Sequence, residues 1–353
     1  MEEDIKRILD AGAQAPSGSN SQPWKFILRG NQIDVLASPG KDHPVLNYRS
    51  RGTWVAHGAL LQNILIASRA IGYDLDFSVF PEKSEPNLTL KLFFKKSSPR
   101  EEPLYKSIYE RATNRKPYKT VPLTDAQKSV LLKSDAESSG EIRLIEDREQ
   151  LKTLGEALSA NEVVMFENPI LHRLLFQEIV WTREEEENRG AGLYVKTMEL
   201  KPAQRFALKF FKYWSLMNFL NQKLGAARMI AKENAKVYAS VAAMGIIIVK
   251  DNDVDFVHAG RLMERLWLQA TAMGLSFHII TGVPFLWQRI KAGGTKEFSS
   301  EHIQLVRDAY QKIASIAEVK NDKIAAMVFR VGDGGKPTAR SVKKEAEILW
   351  RDQ

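Results

Sequence analysis

Two stretches of this chain repeat one another. The segment GALLQNILIASRAIGY at 58–73 aligns without gaps on GRLMERLWLQATAMGL at 260–275, with glycines matched at both ends and apolar positions matched between them. Both carry the helical period, and both are apolar on much of their surface, so neither can face water. Two such helices can bury each other at the centre of a structure made of two related units. The length of 353 residues agrees, because it exceeds what one hydrophobic core ordinarily supports.

The order of elements predicts an α+β fold in two halves, 1–98 and 99–353. In the first, Ile5, Ile8, Leu9 and Ala13 recur at helical spacing until Pro16, Ser17, Gly18 and Asn20 bring turn chemistry. Strand-like runs at 24–28 and 33–37 flank Arg29-Gly30-Asn31 as a hairpin, a long helix follows at about 54–71, and strands are expected at 76–80 and 88–94. The Lys-, Ser- and Pro-rich stretch 95–103 reads as the linker. The second half repeats this alphabet: helices at 104–110 and 125–132, the latter with Thr124 as N-cap, strands at 142–145 and 246–250, and a long helix at 256–273.

The block 161–238 has no counterpart in the first half. Its run KPAQRFALKFFKYWSLMNFLNQKL places Phe206, Phe210, Trp214 and Met217 on one helical face and Arg205, Lys209 and Lys212 on another. A helical insertion packed on the core is the leading reading. A flexible lid and a membrane-surface helix are the alternatives.

Composition removes several kinds of chemistry. The chain has no cysteine, which excludes disulfides, thiolate nucleophiles, iron–sulfur clusters and cysteine-based zinc sites, so redox work would need a borrowed cofactor. The six histidines fall into no HExxH pattern, and no metal site is expected. A net charge of +8 is dispersed among 43 acids, including the run Glu184–Glu187, with no concentrated basic arm, so no nucleic-acid partner is expected. The start MEEDIKRILDAG lacks a secretory pattern and no segment reaches membrane-span length, so the expectation is a cytoplasmic protein.

Three segments carry chemistry. In Ala15-Pro-Ser-Gly-Ser-Asn-Ser-Gln-Pro-Trp24, small hydroxyl and amide side chains between a helix end and a strand start could hydrogen-bond a flat heteroaromatic edge, although such a loop more often only terminates a helix. In Glu110-Arg-Ala-Thr-Asn-Arg-Lys-Pro-Tyr118, Pro117 blocks helix, and an extended chain puts Arg111, Thr113 and Arg115 on one side. Two guanidiniums and a hydroxyl suit a phosphate and an adjacent polyol, while a solvated basic turn is the bland alternative. The third, RVGDGGKPTARSVKK at 330–344, is a glycine-rich turn with a basic strip, and it matches neither the P-loop nor a Rossmann fingerprint.

Together these segments resemble the nitroreductase family. PSGSNSQPW is similar to its PSxxNxQPW element, RATNR to its RxSxR element, and RVGDGGKPTARSVKK to its C-terminal tail. VHAGRLMERLWLQATAMGL followed by ITGVP resembles its core helix and the turn that meets the flavin N5. In that family each flavin site of a homodimer takes RxSxR from one subunit and PSxxNxQPW from the other. Here the first half has only the second element, and the second half has RATNR but DAESSGEIRLI where PSxxNxQPW would stand. The resemblance therefore implies one complete site per chain in an internal pseudo-dimer, and the expectation is a monomer. The chain is similar in this to the actinobacterial dormancy-linked proteins of the family, which look like a fused dimer.

Carried over by position, the resemblance implies flavin mononucleotide (FMN) as cofactor. Arg111 and Arg340 would meet its phosphate, with Lys343 as a further phosphate ligand, and Thr113 the ribityl side. Arg115 would lie near N1 and C2=O, Pro16, Ser17, Gly18 and Asn20 at the ring edge, and Thr281 with the Gly282 N–H at N5. No catalytic side-chain acid is implied. The implied activity is electron transfer from NAD(P)H to a nitro, quinone or other small organic acceptor; the alternative is an FMN-sequestering protein with a lid-occluded flavin.

Overall fold

The computed structural model describes residues 2–29, 32–38, 40–134 and 140–350. The chain opens with α1 (Glu2–Ala13), the hairpin strands β1 (Trp24–Arg29) and β2 (Gln32–Ala37), the long helix α2 (Arg51–Ile71), and strands β3 (Tyr73–Val79) and β4 (Leu88–Lys96). The hairpin tip, Gly30 and Asn31, lies outside the described residues, as do the first five residues of DAESSGEIRLI. After the linker come α3 (Tyr105–Glu110), α4 (Asp125–Leu132) and β5 (Glu141–Ile145). The expected N-cap of α4 is present: Thr124 Oγ1 accepts from the Gln127 amide, and the Gln127 side chain returns to the Thr124 amide.

Helix α5 (Arg148–Leu158) leads into the insertion, which is helical almost throughout: α6 (Ala160–Glu167) and α7 (Pro169–Glu178), the short strand β6 (Ile179–Val180), α8 (Arg183–Arg189), β7 (Leu193–Tyr194), α9 (Pro202–Phe211), α10 (Trp214–Leu224) and α11 (Ala226–Ala239). The chain closes with β8 (Ala243–Lys250), the second long helix α12 (Asp253–Ala272), β9 (Ser276–Ile280), α13 (Gly282–Lys291), α14 (Ser300–Ile316), β10 (Lys323–Gly332) and β11 (Ile348–Trp350).

These strands make two main sheets. The first has the order β11-β1-β2-β4-β3, antiparallel except where the tail strand β11 adds parallel to β1, pairing Ile348 with Phe26 and Trp350 with Leu28. Thus the end of the chain completes the sheet that the beginning of the chain started. The second sheet is β5-β8-β10-β9, antiparallel throughout.

Helices α2 and α12 fill the space between the sheets. One apolar cluster runs from Leu90 and Leu92 of β4 through Leu60 and Ile64 of α2 and Leu262 and Leu266 of α12 to Ile247 and Val249 of β8. Alternate residues of β8, Met244, Ile246 and Ile248, face a second cluster with Leu154 of α5 and Ile313 of α14. Coverage on both faces is why β8 reads as an unbroken apolar run rather than an alternating one. The matched glycines Gly58 and Gly260 mark the helix crossing. A Cβ on Gly58 would overlap the Val257 carbonyl oxygen, and one on Gly260 would overlap that of Val55. Only hydrogen at both positions lets the two backbones approach this closely.

One expectation about the insertion is corrected. Phe206, Phe210, Trp214 and Met217 do not share a continuous helix, because Tyr213 is extended and divides α9 from α10. The break is tertiary in origin: His172 of α7 donates its Nε2–H to the Phe211 carbonyl at 2.7 Å, satisfying a C-terminal acceptor that a continuing helix would have used. Met217 is buried, whereas Phe206 and Phe210 stand 65% and 47% exposed.

Candidate functional site

Two adjoining cavities of about 320 and 350 Å³ share Ser19 and Leu193 in their walls. Both lie in the size range of small-molecule sites, about 300–1,000 Å³. Pro16, Ser17, Asn20, Arg111, Thr113, Arg115, Arg340 and Lys343 line the first, and Gly18, Thr281 and Gly282 line the second. Every residue expected at the cofactor therefore reaches one of these two cavities. No carboxylate faces the first, so its walls carry four basic side chains without an acidic one.

The polar loop after α1 is held in an unusual backbone. Ser19, Asn20 and Gln22 all have positive φ, at 45°, 55° and 48°, in the left-handed region that costs non-glycine residues energy. Surrounding contacts impose it. Gln22 donates through Nε2 to the Gly190 carbonyl at 2.8 Å and accepts from the Lys344 amide at 2.9 Å. Asn20 Nδ2 donates to the Val342 carbonyl at 2.7 Å, and the Gly192 amide donates to the Ser19 carbonyl at 2.7 Å. The insertion and the tail thus hold a loop that begins the chain.

Residues 111–115 follow the end of α3 in extended form. Thr113 bridges in parallel to Phe277 of β9, and the Asn114 amide donates to the Phe277 carbonyl at 3.0 Å. Arg111, Thr113 and Arg115 all line the cavity, as Ala112 does between them, while Asn114 points into protein and donates to Ser276 Oγ at 2.9 Å and the Gly335 carbonyl at 2.8 Å.

The four cations differ in how they are held. Arg111 is anchored on three sides: Nη2 donates to the Gln14 carbonyl at 2.6 Å, Nε lies 3.0 Å from the buried Glu264 carboxylate, and the guanidinium stacks 4.4 Å over Trp267. Burial lowers the Arg111 pKa and raises that of Glu264, and each ion opposes the shift of the other. Arg115 donates from Nη1 to the Thr197 carbonyl at 2.9 Å. Arg340, the exposed member, donates to the Tyr109 carbonyl at 2.7 Å.

Lys343 donates to the Ala15 carbonyl at 2.7 Å and Asn20 Oδ1 at 2.8 Å. Its surface is reachable from the cavity, but protein surrounds it closely. That desolvation, and then the charge of Arg111, bring its pKa down to about 7, with Glu264 and Glu186 opposing. An anion entering the cavity would reverse much of this shift.

The second cavity is less basic. Gly282 opens α13, and a Cβ there would overlap Asn161 Oδ1 of α6. Opposite lie Asp42 and Glu178, both with pKa values raised chiefly by burial. Asp42 accepts from Thr53 Oγ1 at 2.9 Å. Among the described residues no group of three His, Asp or Glu side chains could hold a metal ion.

Sequence reading missed several residues of the site. Glu264 is the most consequential: it lies behind the wall of the first cavity, against Arg111, and its signal was a carboxylate in the middle of a core helix. Gly192, Leu193 and Thr197 from the insertion carry no motif. They also relocate the expected cover: Phe206 and Phe210 line neither cavity, and this part of the insertion is contributed instead around β7.

Against known proteins, residues 1–38 match the model of the nitroreductase family, which covers α1, the polar loop and the first hairpin. The family resemblance read from the motifs is borne out over that segment, which holds PSGSNSQPW. The chain is 24% identical over 285 residues to the uncharacterized protein MT1398 of Mycobacterium tuberculosis; the alignment covers 80% of this chain but spans 39% of that relative's length. Solved structures similar to it include an FMN-dependent nitroreductase from Clostridium difficile, at 15% identity and TM-score 0.33, covering 67% of this chain and 88% of that one. Another is a nitroreductase with bound FMN from Desulfitobacterium hafniense, at 10% identity and TM-score 0.39, covering 69% and 96%.

Proposed function

We propose that this chain is an FMN-dependent oxidoreductase of the nitroreductase type, with halves 1–98 and 99–353 acting as an internal pseudo-dimer around one flavin. The observation that carries the reading is the meeting of three distant segments, 16–20, 111–115 and 340–343, around one cavity with four basic side chains and no facing carboxylate. This donor set fits a phosphate monoester joined to a polar chain and a flat ring. When bound, FMN supplies the hydride chemistry, and the protein supplies orientation and electrostatics.

In this reading Arg340, Lys343 and the anchored Arg111 take the phosphate, and Thr113 the ribityl hydroxyls. Lys343, poised near neutrality, takes up a proton as the dianion arrives. Arg115 would place a positive charge beside the ring and so favour its reduced, anionic form. Pro16, Ser17, Gly18 and Asn20 would hold the ring edge, and Thr281 with the Gly282 amide would meet its far side. The second cavity receives first NAD(P)H and then a nitro, quinone or other small organic acceptor. No side-chain acid is assigned.

A second reading rests on Asn161, which crowds Gly282, and on Gly192, Leu193 and Thr197, which wall the first cavity: an FMN-sequestering protein whose insertion excludes nicotinamide. Anaerobic titration of the purified protein separates the two. About one FMN per chain, bleached rapidly by NADH or NADPH, supports the oxidoreductase; bleaching by dithionite alone supports sequestration. Two flavins per chain would overturn the single-site argument.

A further inference from the structure

We propose that the outer surface of α9 and α10 is a docking face for an anionic lipid bilayer, on which the protein lies without crossing. Between Lys201 and Lys232 the chain has seven basic residues and no Asp or Glu. The same segment concentrates exposed large apolar side chains: Phe206 at 65%, Tyr213 at 56%, Phe219 at 54%, Leu224 at 64% and Met229 at 62%.

The arrangement is that of an interfacial helix pair. Along α9 and its end, Phe206, Phe210 and Tyr213 recur at spacings of four and three and make one stripe, and the Phe206 and Phe210 rings meet edge to face at 5.1 Å. Arg205, Lys209 and Lys212 follow the same spacings one residue earlier and so make a neighbouring stripe. Helix α9 buries only Leu208 and α10 only Met217. Phe211 and Trp214 are partly buried, but Phe206, Phe210, Tyr213, Leu216 and Phe219 leave a large apolar surface in solvent rather than on the core.

Charge decides the occupant. In this segment and its immediate C-terminal continuation, the ion pairs among the described residues are Arg228 with Glu167 at 3.6 Å and Lys236 with Glu233 at 2.6 Å; the lysines beside the aromatic stripe have none. Aromatic side chains inserted at headgroup depth, flanked by cations whose stems can reach upward, suit a bilayer bearing phosphate headgroups. A second copy of this chain would bring the same unneutralised cations face to face. No helix among the described residues is long and apolar enough to cross a membrane, which agrees with lying on the surface.

The test is co-sedimentation of the full chain with sucrose-loaded vesicles of phosphatidylcholine alone or with about one third phosphatidylglycerol. The expected result is binding to the mixed vesicles at least tenfold tighter than to the neutral ones, weakened by salt. Phe206→Ser with Phe210→Ser, and separately Lys209→Glu with Lys212→Glu, should each lower it at least tenfold. All four side chains are exposed, so melting temperatures should hold, and if one pair misfolds the other still decides. Equal binding to both vesicle types, or none, overturns the proposal. So does a concentration-dependent dimer in light scattering that Phe206→Ser abolishes, because the face would then belong to a second copy.

Discussion

Helices α2 and α12 align in sequence and cross at paired glycines, yet they differ beside the candidate site. Their alignment sets Gln62 opposite Glu264 and Leu65 opposite Trp267. All four are buried, yet only Glu264 and Trp267 have a cation to hold, since Arg111 lies 3.0 Å from the carboxylate and 4.4 Å above the indole. The corresponding place on α2 is neutral and aliphatic. A buried carboxylate is costly unless paired, so its presence in one helix and absence from the other ties the arginine cradle to one half.

The largest expected effect tests that asymmetry. Arg111→Ala leaves Glu264 buried and unpaired and should destabilise the fold by about 3–5 kcal/mol, whereas adding Glu264→Gln, which copies α2, should restore much of it. Urea midpoints of the single and double variants measure this. If the single variant costs nothing, the cradle does not depend on the pair.

Next comes His57 of α2, fully buried, accepting no charge partner and with its pKa lowered by burial to about 4. Between pH 6.5 and 4 the unfolded chain binds this proton and the folded chain does not, so stability should fall as pH drops through that window, by about 3 kcal/mol in all. His57→Gln should flatten that part of the curve. An unchanged curve would locate the acid sensitivity elsewhere.

The crossing itself should behave symmetrically. Gly58→Ala and Gly260→Ala each push a methyl into a facing carbonyl and should each cost about 1–3 kcal/mol or more. Matching losses in thermal melts would sharpen the equivalence of the two helices; a loss at only one would break it.

The smallest effect concerns the site. Lys343 is protonated below pH 7 and neutral above it, so affinity for FMN should weaken roughly tenfold from pH 6.5 to 8.5, with net proton uptake on binding near neutrality. Calorimetry in two buffers of different ionisation enthalpy reads the uptake directly. Lys343→Met should remove both the uptake and the pH slope.

Much of the architecture was legible because it is written in local periods. The hairpin, the two long helices, the N-cap at Thr124 and the extended run that carries Arg111, Thr113 and Arg115 to one cavity each follow from local sequence, which neighbours in the chain dictate. The α9–α10 break was not legible, since it depends on His172 reaching the Phe211 carbonyl from another helix. Nor were Gly192, Leu193 and Thr197, which carry no pattern and become wall residues only because the insertion folds back over the first loop.

By itself, then, the sequence determined the α+β alphabet, the doubled core helix, the absence of any cysteine chemistry, and the residue types that could receive a phosphate. Tertiary structure alone decided that segments more than 200 residues apart close on one cavity, that Glu264 compensates Arg111, and that Lys343 sits near neutrality. The physical reason is range. Helix and strand periods are set by backbone sterics over a few residues, whereas desolvation and ion pairing depend on which distant groups the folded chain brings within a few ångströms.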